Sequence, residues 1–217
     1  MESNAVSAFD KYAEEYDKWF DSPEGKVLFE LEADAVRLLM KGLEHPFLEI
    51  GAGTGRFANA LGIEYGIDPA QAALKIAEKR GIKVKFATGE KLPFEDKSFD
   101  GVFILFTLCF VKEPQKVISE AKRVLKTAGG LIVGIINRES SWGASYMEKR
   151  AEGHPIYKYA KFYSVNEVVK MLEMADMSVE AYSSTLCQPP SDKPNKEDAH
   201  NKLIEEAGFI CILAKIF

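Results

Sequence analysis

Residues 47–56 read FLEIGAGTGR, a short apolar run carrying one carboxylate that passes straight into three glycines at alternate positions. FLEI is the length of a strand, and the residues from Arg56 to about Leu61 read as a short helix. Glycine at 51, 53 and 55 lets the backbone turn sharply and approach a ligand with no side chain in the way. The helix that follows aims its free amides and positive dipole end at the same place. Two common loops do not fit. A dinucleotide loop, G-x-G-x-x-G/A, needs a small residue at 56, where Arg56 stands; a P-loop needs a closing Gly-Lys-Ser/Thr, which is absent.

On either side of this junction strands alternate with helices. Pro46 precedes the first strand. IEYGI (63–67) is a second, ending at Asp68-Pro69, where Pro69 suits the first position of a helix running to about Arg80. IKVKFA (82–87) is a third. FDGVFILF (99–106) is apolar throughout, as in a central strand covered on both faces. PQKVISEAKRVLK (114–126) reads as an amphipathic helix and GGLIVGII (129–136) as a fifth strand. Residues 137–163 break the rhythm with a polar, aromatic stretch of weak periodicity, read as an insertion or lid. Ser164 with Glu167 forms a capping box at the start of SVNEVVKMLEMA, and residues 177–186 and 208–217 close the chain as strands. At the other end, Phe9, Tyr12, Tyr16, Trp19 and Phe20 lie near helical spacing, and residues 26–41 place Val27, Leu31, Ala35, Leu38 and Leu39 on one face before Gly42. The pattern predicts an α/β fold with a doubly wound, mostly parallel sheet. Its organisation is a single domain: an N-terminal helical arm (1–42), a ligand-binding core (43–136), the insertion (137–163) and a C-terminal helix with strands (164–217). Ligands in such sheets bind at the carboxyl ends of the strands, beside the switch point.

Composition narrows the partners. A chain of 217 residues is long enough for one full core, and a net charge of −5 argues against a nucleic-acid partner, which calls for a basic face. The longest apolar run, residues 101–111, is too short to span a bilayer, and the N-terminus carries no secretory signal. Three scattered cysteines, Cys109, Cys187 and Cys211, support neither a disulfide framework nor a zinc site and point to the cytoplasm. No metal-ligand cluster is visible. The oligomeric state is not readable.

In this order and spacing the segments resemble the class I S-adenosylmethionine-dependent methyltransferases, especially the small-molecule group that includes the ubiquinone and menaquinone C-methyltransferases. FLEIGAGTGRFANAL is similar to that family's first motif and GIDPAQAALKIAEKRG to its second. FATGEKLPFEDKSFDGVFILFTLCFV resembles its run through strands three and four, EPQKVISEAKRVLKTAGGLIVG its passage into strand five, and FDKYAEEYDKWF its opening arm. The likeness is close over residues 9–136 and looser over 163–186. It implies a Rossmann-like sheet of seven strands in the order 3-2-1-4-5-7-6, with strand 7 antiparallel, and S-adenosyl-L-methionine as the cofactor of a methyl transfer.

It also implies roles. Gly51, Ala52, Gly53 and Gly55 would floor the methionine portion, with Glu49 facing its amino group; the alternative for Glu49 is a solvated strand-end carboxylate. Asp68, followed by Pro69, would accept from both ribose hydroxyls, a task suited to two acceptor oxygens, or would cap the next helix. Thr88, Gly89 and Glu90 would meet the adenine, with Thr88 where the family commonly has an aspartate. Leu105 and Phe106 would lie beside the sulfonium. Family members often carry a histidine pair shortly after; here Cys109-Phe110 stands instead, so no general base is assigned. Tyr12 and Tyr16 would close over the cofactor or acceptor, or simply pack the arm. Tyr16, Asn137, Tyr146 and His154 are the candidates for the acceptor pocket. The expected function is methylation of a small molecule at N, O or C. A non-catalytic cofactor-binding module and an RNA or protein methyltransferase are the alternatives; the latter lacks the Asn/Asp-Pro-Pro-Tyr signature of base-amine enzymes.

Overall fold

In the computed structural model, which describes residues 4–191 and 193–216, three helices precede the sheet: α1 (Asn4–Lys11), α2 (Ala13–Trp19) and α3 (Pro23–Leu39). Residues 1–3, Asp192 and Phe217, which the sequence places in the arm, the late loop and the last strand, lie outside the described residues. The aromatic stretch of the arm before Ser22 is two helices, hinged at Tyr12, rather than one. Helix α3 begins three residues earlier than its apolar stripe predicts, because Ser22 accepts from the Gly25 amide at 2.9 Å and Pro23 occupies the first turn.

The core follows as β1 (Phe47–Ile50), α4 (Arg56–Leu61), β2 (Tyr65–Asp68), α5 (Gln71–Lys79), β3 (Lys83–Phe86), β4 (Phe99–Leu105), α6 (Pro114–Val124) and β5 (Leu125–Ile136). Helix α5 starts two residues after Pro69, since the Asp68 carboxylate takes the Ala70 amide and turns the chain before the helix begins. The segment after β5, read as irregular, holds a helix, α7 (Ser141–Ala151), and a 3₁₀ turn (Tyr157–Tyr159). It is tied down where Trp142 buries its ring and donates to the Gln188 carbonyl at 2.7 Å. Helix α8 (Val165–Glu173) carries the reciprocal capping box of Ser164 and Glu167, and β6 (Met177–Thr185) and β7 (Phe209–Ile216) complete the chain.

The seven strands pair in the order β3-β2-β1-β4-β5-β7-β6, parallel except that β7 runs antiparallel to both β5 and β6. Both faces are covered. One buried cluster joins Ile50, Ile67 and Val102 to Val117 and Ile118 of α6 and Val168 and Leu172 of α8. The other joins Phe47, Phe103 and Phe209 to Leu28, Leu31 and Val36 of α3 and Phe57 of α4. This sandwiching explains why β4 reads as a continuous apolar run. Edge strand β3 is largely exposed, and Lys83 and Lys85 on it discourage further strand pairing. No helix among the described residues is long and apolar enough to cross a membrane.

Candidate active site

A cavity of about 680 Å³ opens at the carboxyl ends of β1, β2 and β4. β1 lies between β2 and β4, so the chain leaves the sheet in opposite directions there and opens the crevice. Its floor is the glycine loop. The amides of Gly51 and Ala52 both donate to the Ile67 carbonyl, at 2.8 and 2.9 Å, which locks the loop against β2. Gly53 sits at φ +52°, and a Cβ built there would meet nothing within 4 Å and would project into the open cavity. Gly55 has a different task. It is not on the cavity wall, and a Cβ there would stand 2.9 Å from that of Ala77, so the glycine lets α4 pack on α5.

Two carboxylates face this loop. Glu49 is 2% exposed; one side takes the Ala58 amide in the first turn of α4, and its Oε2 has no hydrogen-bond partner. Burial raises its carboxyl well above the ordinary value, and the Asp68 charge adds to the rise. Asp68 accepts the Gly53 amide on Oδ2 at 2.9 Å and the Ala70 amide on Oδ1 at 2.7 Å. Burial pushes it up to about 6 against the pull of those two amides. Each oxygen retains acceptor capacity on the cavity side. Capping and ligand binding are therefore compatible at Asp68.

Of the other residues singled out by sequence, Tyr16, Ala52, Pro69, Thr88, Gly89, Glu90, Leu105, Phe106 and Tyr146 line the cavity. Phe106 holds a left-handed backbone, φ +57°, braced by stacking on Phe209 at 4.7 Å. Such strain in a non-glycine residue at a strand end aims its neighbours into a site. Besides Gly55, three further expectations are corrected. Tyr12 lies off the wall, at the hinge between α1 and α2, with Lys11 over its ring. Asn137 is 1% exposed and braces the turn after β5, donating to the Glu205 carbonyl at 2.7 Å. His154 stacks on Tyr157 outside the cavity, its Nδ1 accepting from the amides of Ile156 and Tyr157 at 3.3 Å.

Two features escaped the sequence reading. Arg56 was noted only as an obstacle to dinucleotides, yet it clamps the arm. Its Nε meets Asp17 at 3.0 Å and its Nη1 meets Asp21 at 2.9 Å, while Arg80 reaches Asp17 at 2.8 Å. Burial alone would raise Asp17, but hydrogen bonds from Arg80, Arg56 and Thr54 outweigh it and hold the carboxyl at about 2. The clamp seats α1 and α2 over the cavity, where Phe9 packs edge-to-face on Phe110 at 4.9 Å. Tyr157 of the 3₁₀ turn joins Tyr16 and Tyr146 on the wall. Glu32 of α3, not considered at all, also lines the cavity. It lies on the helix's buried stripe, four residues after Leu28 and four before Val36, a spacing from which its inward direction could have been read.

The residues fit an adenosyl sulfonium cofactor. Glu49 leaves a buried acceptor for an ammonium, Asp68 offers two acceptors for a diol, and Gly53 leaves the floor open.

Comparison with known proteins gives the same direction. A family described as "Methyltransferase domain" matches residues 48–133. An uncharacterized protein of Methanocaldococcus jannaschii is 44% identical, the match covering 97% of this chain and 99% of the relative. A demethylmenaquinone methyltransferase of Thermotoga maritima is 30% identical over 60% of each chain. Among solved structures, a Thermotoga maritima S-adenosylmethionine-dependent methyltransferase, named as a possible histamine N-methyltransferase, superposes with a TM-score of 0.90 at 34% identity. That match covers 97% of this chain and 99% of its own.

Proposed function

The chain belongs to the S-adenosylmethionine-dependent methyltransferases, and on that footing we propose that its acceptor is a small molecule held beneath the N-terminal arm. The observation that carries the reading is the cavity itself. At about 680 Å³ it has the size of small-ligand sites. It continues past the glycine loop into a chamber walled by Tyr16, Phe106, Tyr146, Tyr157 and Phe162. A relative named for a small amine supports the same class.

In this reading Gly51, Ala52 and Gly53 carry the methionine portion with Glu49 at its ammonium, Asp68 holds the ribose, and residues 88–90 flank the adenine. When bound, S-adenosylmethionine supplies an electrophilic methyl carbon, and the electron pair of the breaking C–S bond stays on sulfur. The chain's own work is to align the acceptor, shield it with the arm and keep water out. Positioning of this kind is worth roughly 7–11 kcal/mol in favourable cases.

Glu49 gives this arrangement a pH signature. Its carboxyl is raised in the free protein, and an ammonium at the vacant Oε2 would favour the ionised form. The complex then holds fewer protons than the free protein, so affinity rises with pH. Calorimetry of S-adenosylhomocysteine binding in buffers of different ionisation enthalpy should show proton release, and Glu49→Gln should abolish it. Equal heats in all buffers would refute the assignment.

The function itself is tested by S-adenosylhomocysteine release with panels of small amines, phenols and quinone precursors, alongside RNA and protein acceptors. Turnover of small molecules is expected. Turnover confined to the macromolecules would overturn the proposal.

A further inference from the structure

Glu32 is an acid placed where packing alone would put an apolar side chain. Its α3 neighbours on the same stripe, Leu28, Leu31, Ala35 and Val36, are all buried, and Glu32 itself is 7% exposed. No hydrogen bond or ion pair among the described residues reaches its carboxyl, yet the side chain borders the cavity. An unpaired buried carboxyl costs free energy, and a hydrophobic residue would pack at this position without that cost. The groups around it come from separate elements: Tyr16 from α2, Tyr146 from α7, Tyr157 from the 3₁₀ turn and Cys211 from β7 each lie within its electrostatic reach. None of these is cationic. The cations on the cavity wall are Arg56 and Lys112, and Arg56 is already engaged by Asp17 and Asp21.

We propose that Glu32 is the acceptor-recognition residue and proton acceptor of this enzyme, and that the acceptor is an aliphatic or arylalkyl amine whose ammonium docks against Glu32 within the tyrosine cage. This rests on the small-molecule reading above and names its substrate class. An incoming ammonium favours the ionised form of Glu32, and the carboxylate and the aromatic faces together then hold the cation, whereas an anionic acceptor would gain from neither.

The amine enters as an ammonium, whose nitrogen has no lone pair to give. One N–H proton passes to a Glu32 carboxylate oxygen, and the bonding pair stays on nitrogen as the lone pair that attacks. The new N–CH₃ bond forms as C–S breaks. The product leaves as a methylated ammonium, and the proton on Glu32 is later lost to solvent. Burial pushes the Glu32 carboxyl up to about 8, roughly two units below an alkylammonium, so the transfer is uphill by about a hundredfold rather than by the several orders of magnitude an ordinary carboxylate would face.

The test is calorimetric and uses the protein saturated with S-adenosylhomocysteine. The probes are 2-phenylethylamine, 2-phenylethanol and 3-phenylpropanoate, similar in ring and chain but different in charge. The wild type is expected to bind the amine at least tenfold more tightly than the alcohol or the acid. Glu32→Gln, close in size, should lose at least tenfold in amine affinity and erase the preference. Its affinity for S-adenosylhomocysteine should stay within twofold, with no fall in melting temperature, which separates lost recognition from lost folding. Absence of an amine preference in the wild type, or its survival in Glu32→Gln, overturns the proposal while leaving a small-molecule acceptor standing. Turnover confined to macromolecules overturns both.

Discussion

Asp68→Ala is expected to weaken S-adenosylhomocysteine binding by about 100-fold, roughly 3 kcal/mol, the scale of two hydrogen bonds to a charged acceptor. Both carboxylate oxygens already serve the backbone, through Gly53 and Ala70, and both retain acceptor capacity for a diol. The alanine variant therefore loses ligand contacts and also frees the loop that carries Gly53. Asp68→Asn separates the two effects. Its amide oxygen can still hold one backbone amide, while its NH₂ group presents donors to hydroxyls that need acceptors. It should fold with nearly wild-type stability and still bind at least tenfold more weakly. Calorimetry beside thermal unfolding reads both quantities, and unchanged affinity in either variant would remove Asp68 from the ribose site.

Glu32→Gln is expected to raise the unfolding free energy at pH 9 by roughly 3–5 kcal/mol and to change it little at pH 4. In the folded wild type the carboxyl ionises near 8, against an ordinary 4.5. Below pH 4.5 it is protonated in both folded and unfolded chains and contributes no pH dependence. Between 4.5 and 8 the folded chain keeps a proton that the unfolded chain has released, so stability falls as pH rises through that window. Above 8 the whole penalty is present. Glutamine removes the ionisation and keeps a neutral polar group in the same space, so the two proteins should diverge only across the window. Urea unfolding at pH 4, 6 and 9 measures this difference. A gap that stays constant with pH would show that the carboxyl is not the buried, unpaired group described.

Which features were legible follows from the range of the forces involved. The capping box of Ser164 and Glu167 was readable because both of its hydrogen bonds close within four residues. The β4 run was readable because a strand covered on both faces must be apolar along its whole length. The helix at Ser141–Ala151 was not, since it buries only Trp142 and Gly143 and leaves no stripe to detect. Tyr12, Asn137 and His154 drew attention for their chemistry, yet Tyr12 and His154 are held by neighbours in sequence outside the cavity and Asn137 by the Glu205 carbonyl, 68 residues away. Arg56 was visible as a departure from one loop type. Its partners Asp17 and Asp21 lie 39 and 35 residues away, and no local rule connects them.

The family and its cofactor came from the resemblance these segments carry when taken in order; the sequence by itself determined the succession of strands and helices and the glycine loop, with Glu49 and Asp68 at strand ends. Those are consequences of backbone periodicity and of glycine's conformational freedom, which act over a few residues. Only the tertiary structure decided what stands opposite that loop: the arm clamped by Arg56 and Arg80, and a chamber that gathers Tyr16, Glu32, Tyr146 and Tyr157 from four separate elements. Burial and electrostatics depend on everything within several ångströms in space. The character of Glu32 as an unpaired acid came into being only when α3, α7 and the arm closed around it.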